Sequence, residues 1–119
     1  MEKRYRIGAA TSDGIVVNRH FGRANCFQII DVNGEEEPRF VEKRFVTPIC
    51  GNGNHEEEKL FEQIKGLADC QYLLVGKIGP QAASALEENG ISVYELPGLI
   101  EESVKKLLNY IEIQEMLQG

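Results

Sequence analysis

The segment YLLVGKIGP, residues 72–80, decides the order of the structural elements. Tyr72 to Val75 form a continuous apolar run, which is typical of a strand buried on both faces of a sheet. Pro80 suits the first turn of a helix, because the N–H that proline lacks would have no intrahelical partner there. The segment therefore predicts a central strand that passes directly into a helix.

Three elements are predicted after this strand. The Ala-rich helix over residues 80–89 is expected to end at Gly90, and a strand over residues 91–96 is expected to stop at Pro97. Beyond it, apolar side chains recur at helical spacing up to about residue 117, which predicts a long terminal helix. The members of this stripe are Ile100, Val104, Leu107, Leu108 and Ile111.

Upstream, strands are predicted over residues 5–11, 26–32 and 39–46, and the second and third are separated by the hairpin signal Asn33-Gly34. The pattern then changes to a helical period, with Asn54 and Glu57 in positions that suit a capping box. One face of this helix is apolar, through Leu60, Phe61, Ile64 and Leu67.

The order of these elements, β-β-β-α-β-α-β-α, predicts one α/β domain over residues 1–119. Consecutive short connections favour an antiparallel meander, and strands that alternate with helices favour parallel pairing with right-handed crossovers. In the order of the five predicted strands along the chain, the expected sheet is 3-2-1-4-5, with strand 2 antiparallel. Helices on both faces would complete a three-layer, ribonuclease-H-like arrangement.

Composition narrows the class of protein. The chain has 119 residues, a formal net charge of -6 and a pI of about 5.0. Nucleic-acid binding is disfavoured, because it depends on a basic surface that neutralises phosphates. No apolar stretch is long enough to cross a bilayer, so no membrane partner is expected. Three cysteines without a CxxC pair predict reduced thiols in the cytoplasm. The oligomeric state is left open.

The predicted topology places the chemically interesting residues at one edge of the sheet. In open α/β sheets, ligands bind outside the carboxyl ends of the strands. Two histidines and two cysteines are expected at this edge. They are His20, Cys26, Cys50 and His55. Cys70 precedes the central strand, so it is expected at the opposite end, as a small buried hydrophobic residue.

The loop around His20 is locally basic, with Arg19 and Arg23 on either side. An imidazole can bind a metal or move a proton, although a lone loop histidine is more often hydrogen-bonded to backbone. Lys77 lies in the turn before the next helix, where free amides and an ammonium would favour an anion. A tight strand-to-helix turn would explain the glycines there equally well.

Cys50 and His55 lie in ICGNGNH, residues 49–55. The following helix would lower the pKa of the Cys50 thiol and favour a thiolate. A C-x4-H spacing does not match structural zinc sites, so an open site with few ligands is favoured over a closed one. A flexible glycine-rich loop with incidental Cys and His side chains remains an equal alternative.

Enzymatic activity is not expected. A two-metal nuclease needs clustered carboxylates, and the first predicted strand contains none. Asp13 and Asp31 are too few to build that cluster. No Ser-His-Asp arrangement or nucleophile elbow is present in the sequence either.

Several segments together resemble the dinitrogenase iron–molybdenum cofactor biosynthesis family. The most specific are AATSDG (residues 9–14) and HFGRA (residues 20–24). Others are LADC (residues 67–70), GKIGP (76–80), NGI (89–91) and GLIEE (98–102). The resemblance implies a ribonuclease-H-like fold without nuclease activity.

The resemblance also implies that the domain binds an iron–sulfur or iron–molybdenum cluster as transient cargo, received from and delivered to partner proteins. His20 matches the motif histidine, which makes it the first candidate metal ligand. Cys50 is the second, at a position where some members have a cysteine. Two alternatives remain open: a regulatory or interaction domain without cargo, and a protein that binds a small oxyanion such as molybdate.

Overall fold

The computed structural model describes residues 4–49 and 56–118, and this part of the chain forms seven strands and three helices. The strands are β1 (Arg4–Ala10), β2 (Val16–Val17), β3 (Cys26–Asn33), β4 (Arg39–Phe45), β5 (Tyr72–Val75), β6 (Ser92–Glu95) and β7 (Gly98–Leu99). The helices are α1 (Glu56–Gly66), α2 (Pro80–Glu88) and α3 (Ile100–Gln118).

The main sheet has five strands in the order β4-β3-β1-β5-β6. β3 is antiparallel to both β1 and β4, whereas β5 is parallel to both β1 and β6. This arrangement confirms the predicted α/β class, the strand order and the antiparallel second strand of the meander. β5 has a hydrogen-bonded neighbour on each side, so its central position is confirmed as well. The name ribonuclease-H-like stays a prediction.

Helices cover both faces of this sheet and enclose two separate apolar cores. Leu73 packs with residues of α1 and α2, including Ile64 and Leu86. Its neighbour Leu74 belongs to the other core, together with Leu107 of α3. Successive side chains of a strand point to opposite faces, so a strand between two cores must be apolar at every position. This explains the continuous YLLV run.

A second, two-stranded ribbon was not predicted. β2 pairs antiparallel with β7 through Val16 and Leu99, and the Ile100 N–H donates to the Ile15 carbonyl at 2.8 Å. The ribbon ties the segment after β1 to the start of α3. Each of its strands has only two residues, which is too short for a periodic signal.

The predicted turns agree with the structure where it describes them. Gly34 at the hairpin has φ +57° and Gly90 after α2 has φ +80°, both in the left-handed region that glycine adopts without strain. The first turn of α1 is acidic, as the helix dipole favours, but Asn54 of the predicted capping box lies outside the described residues. None of the described helices is long and apolar enough to cross a membrane.

Candidate functional site

A cleft of about 690 Å³ opens at the carboxyl end of β5. It lies between the turn after His20, the first turns of α1 and the amino terminus of α2. Its lining consists of His20, Phe21, Gly22, Arg23, Ile49, Glu56, Glu57, Leu60, Lys77, Ile78, Gly79, Pro80, Gln81 and Ala82. Most of the floor is therefore apolar, and charged side chains surround it.

Backbone pairing holds His20 beside Lys77. The two residues form an isolated parallel bridge, in which the Phe21 N–H donates to the Lys77 carbonyl at 2.8 Å. The Gly76 N–H donates to the Arg19 carbonyl, also at 2.8 Å. A Cβ atom at residue 76 would lie 3.2 Å from that Arg19 oxygen, so glycine permits the close approach. Because paired residues of parallel strands point to the same face, His20 and Lys77 both face the cleft.

The turn that carries His20 is anchored by the next residue. Phe21 is 1% exposed and packs against Phe27 of β3, with 6.2 Å between the ring centroids. Residues 21–23 form one turn of 3-10 helix, in which the Ala24 N–H donates to the Phe21 carbonyl. The His20 side chain is exposed, whereas the backbone of its turn is fixed by the packing of Phe21 in the core.

Charges of both signs surround the cleft. Arg23 and Lys77 contribute positive charge, and Glu56 and Glu57 contribute negative charge on the side of α1. The amino terminus of α2 also faces the cleft, and its N-cap, Gly79, provides no side-chain hydrogen bond to the helix. The dipole of α2 therefore adds partial positive charge to the side that carries Lys77.

The anion cradle predicted around Lys77 is smaller than the sequence indicated. Of the amides in this turn, Gly76 donates to Arg19, and Ile78 donates to the Glu95 Oε2 at 2.9 Å. Neither is available to a ligand. Lys77 and the first turn of α2 are left to interact with an anion.

The structure brings three of the predicted site residues together: His20, Arg23 and Lys77. Arg19 contributes its backbone, but its side chain is not part of the lining, because alternation along the extended segment turns it away from His20. Cys26 begins β3 at the expected edge yet lies outside the lining as well. Its neighbour Phe27 belongs to the core under α1 and α2, so Cys26 points to the α3 face.

Cys50 and His55 lie outside the described residues, so their part in the site stays a prediction. Ile49, immediately before Cys50, lines the cleft and is 7% exposed. Within residues 4–49 and 56–118, no group of three or more His, Cys, Asp and Glu side chains is arranged to hold a metal ion.

Cys70 lies at the other end of the sheet, as predicted. It is 1% exposed, and burial, followed by the charge of Asp69, raises the pKa of its thiol to about 12. The Gln71 N–H donates to the Arg6 carbonyl at 2.9 Å, which fixes this segment beside the start of β1. Cys70 is therefore a protonated core residue, remote from the cleft.

Sequence reasoning missed four residues near the site. Glu56, Glu57 and Leu60 belong to α1, and their pattern indicated only a helix with an acidic first turn. Glu95 is an exposed acid at the end of a strand, and no local pattern relates it to Ile78.

A family model described as dinitrogenase iron-molybdenum cofactor matches residues 3–110. FeMo cofactor biosynthesis protein NifB of Frankia alni is 36% identical over 104 residues, which cover 85% of this chain and 20% of the relative. NifB of Chlorobaculum tepidum is 31% identical over 103 residues, covering 87% of this chain and 24% of the relative. The chain thus spans about a fifth to a quarter of the length of these relatives.

Two solved structures have a similar fold. The crystal structure of PH0822 aligns with a TM-score of 0.66 at 26% identity and covers 87% of this chain and 89% of its own. The NMR structure of the Thermotoga protein TM1290 aligns with a TM-score of 0.50 at 23% identity, covering 88% of each chain. At that identity the second likeness supports the fold alone.

Proposed function

Since this chain belongs to the dinitrogenase iron-molybdenum cofactor family, we propose that it is a carrier domain for an iron–sulfur or iron–molybdenum cluster. The cluster is transient cargo in metallocluster assembly, and the domain has no enzymatic activity of its own. The relatives in which this domain forms a part are FeMo cofactor biosynthesis proteins. The fold is proposed to be ribonuclease-H-like.

The observation that carries the proposal is the meeting of His20, Arg23 and Lys77 in one cleft. Metal–sulfur clusters in proteins are often anionic, and their iron atoms accept imidazole or thiolate ligands. An exposed imidazole on a rigid turn can bind iron, and two cations and the α2 amino terminus can offset negative charge. Cys50, immediately after Ile49 of the lining, would supply a thiolate.

A carrier must also release its cargo. A site with one or two protein ligands leaves coordination positions on the cluster open to an acceptor, whereas a complete ligand set would retain it. We therefore propose that cluster donor and acceptor proteins approach the open side of this cleft.

A small oxyanion such as molybdate is the second candidate ligand. The amino terminus of α2, Lys77 and Arg23 together would suit a compact anion, because free amides and cations are the usual partners of oxyanions. This candidate needs neither His20 nor Cys50, which separates it from the first.

The test is anaerobic loading with a cluster donor, followed by desalting and measurement of bound iron per folded monomer. We expect His20→Ala to weaken retention at least about tenfold, as losing a group that supports a metal ligand already does. Cys50→Ser should weaken it less. Cys70→Ser is the matched control for the cysteine variant, because it makes the same change away from the cleft, and it should retain wild-type iron per folded monomer.

Equal loss in Cys50→Ser and Cys70→Ser would contradict the placement of the site. Wild-type protein that retains no iron would contradict the carrier function and favour an interaction domain. Calorimetric titration with molybdate then tests the second candidate, which predicts binding that Lys77→Gln weakens and His20→Ala leaves unchanged.

A further inference from the structure

We propose that Glu95 is a positioning residue for this cleft, an inference that rests on the proposed function. The Ile78 N–H donates to the Glu95 Oε2 at 2.9 Å. Glu95 is the last residue of β6, and Ile78 lies in the turn between β5 and α2. This hydrogen bond is a direct side-chain link from the neighbouring strand to the segment that carries Lys77.

The register of the sheet places the Glu95 side chain on the cleft side. Glu95 is paired with Val75, and the Leu96 N–H donates to the Val75 carbonyl at 3.0 Å, so β6 stays beside β5 up to the turn. Val93 packs with the core under α1 and α2, whereas Tyr94 packs with the α3 core. By alternation, Glu95 shares the face of Val93, which is the face that carries α2 and the cleft.

The effect of this bond reaches His20 through the backbone. Ile78 follows Lys77, whose carbonyl accepts the Phe21 N–H, and Gly76 donates to the carbonyl of Arg19. A turn that contains two glycines in four residues has more conformational freedom than most. The hydrogen bond to the Ile78 amide restricts the conformation of this turn. Because the turn is paired with residues 19–21, it also fixes the segment that presents the His20 imidazole.

Two substitutions of Glu95 can distinguish a positioning role from an electrostatic one. A carboxylate beside a cleft for anionic cargo repels that cargo, so its charge alone would weaken binding. Its role as an acceptor works in the opposite direction, by keeping Lys77 and His20 in place. Glu95→Gln keeps an acceptor and removes the charge, whereas Glu95→Ala removes both.

The first experiment needs no cargo. Hydrogen exchange followed by NMR should show the Gly76 and Phe21 amides exchanging about five- to tenfold faster in Glu95→Ala, the loss expected from one hydrogen bond. Glu95→Gln should exchange at nearly the wild-type rate. Glu88→Ala, which removes an exposed acid at the far end of α2, is the matched control and should change neither amide. Unchanged exchange in Glu95→Ala would overturn the proposal whether or not the protein carries a cluster.

The second experiment measures bound iron after anaerobic loading of the same three variants. We expect Glu95→Ala to retain less iron than wild type, and Glu95→Gln to retain as much or more. Greater retention in both variants would overturn the proposal, because it would mean that Glu95 only repels the cargo. If wild type binds no iron, the proposed function fails, and the exchange rates still decide whether Glu95 positions the turn.

Discussion

Basic side chains lie near both ends of the main sheet, but the two groups differ in their ion pairing. At the amino end of β1, Arg6 pairs with Asp31 at 2.7 Å and with Asp69 at 2.9 Å, and the side chain of Arg44, from the carboxyl-terminal part of β4, reaches the same Asp69 at 2.8 Å. At the carboxyl end, neither Arg23 nor Lys77 forms an ion pair with any other residue that the structure describes. Both line the cleft instead.

This difference separates charge that stabilises the fold from charge that is available to a ligand. The neighbouring guanidinium groups lower the pKa of Asp69 well below its usual range, since Arg44 and Arg6 both donate to its carboxylate. A cation that already forms an ion pair with a carboxylate gains little further electrostatic stabilisation from a second anion. We therefore predict that binding depends on Arg23 and Lys77, which have no ion-pair partner among the described residues, and that stability depends on the paired cations.

The largest loss of stability is expected from Leu107→Ala, which changes the α3 core between the two ends. Leu107 is fully buried, so the variant should lose about 2–5 kcal/mol of unfolding free energy, measured by urea denaturation. Iron retention per folded monomer should stay at the wild-type level. Leu117→Ala, on the same helix at 83% exposure, is the control and should be nearly neutral. Lower retention in Leu107→Ala would mean that cargo binding only follows stability. The proposed separation of binding residues from stabilising residues would then be wrong.

Cys70→Ser should have the next largest effect. It buries a hydroxyl in an apolar core, which should cost about 1–3 kcal/mol. The pKa of about 12 also predicts that the Cys70 thiol resists alkylation at pH 8 in the folded protein. Mass spectrometry after iodoacetamide treatment measures this directly, with urea-unfolded protein as the reactive control. Rapid modification of folded protein would show that Cys70 is accessible after all.

Asp69→Asn should destabilise the protein by about 1 kcal/mol at pH 7, because partly exposed ion pairs are screened by solvent. The pKa of Asp69 is lowered in the folded state, so its contribution is present above the unfolded pKa of about 4 and declines as the pH falls below it. The gap between wild type and variant should therefore narrow from pH 7 to pH 3 in urea denaturation. Glu36→Gln at the exposed hairpin is the control. A gap that widens at low pH would contradict the ion-pair assignment.

The smallest effect on stability is expected from Lys77→Gln, within about 0.5 kcal/mol, since the side chain is exposed. Its iron retention should nevertheless fall about tenfold, the value of one charge-assisted hydrogen bond. Lys105→Gln on α3 removes the same charge far from the cleft and should retain wild-type iron. Equal retention in the two variants would show that the charge of Lys77 does not act on the cargo.

Much of the fold could be predicted because its signals are local. The YLLV run identified a strand between two cores, and the apolar stripe of α3 gave that helix to within about a residue of its observed end at Gln118. The β2–β7 ribbon could not be predicted, because it pairs two dipeptides that are distant in sequence. No periodicity marks such short strands, and only tertiary contacts stabilise them.

The site was predictable at the level of topology and not at the level of side chains. Strand order alone placed His20 and Lys77 at one edge, and the structure brings both into one cleft. Strand order also placed Cys26 at this edge, where β3 does begin. It could not show that Cys26 lies outside the cleft, because strand order does not say which face the first residue of a strand presents. The Glu95–Ile78 hydrogen bond depends on register and side-chain direction, which sequence patterns do not encode.

The His20–Lys77 bridge also determines when the cleft can form during synthesis. Its two halves come from the first and second parts of the chain, with the β3–β4 hairpin and α1 between them. A nascent chain that has emerged only through β4 has its motif histidine but no turn to pair with it. Contacts between distant segments close late in folding, because the loop-closure entropy must be overcome first. A chain that ends before Lys77 therefore lacks the paired backbone that fixes His20, and the cleft can form only after β5 and the turn that follows it have been synthesised.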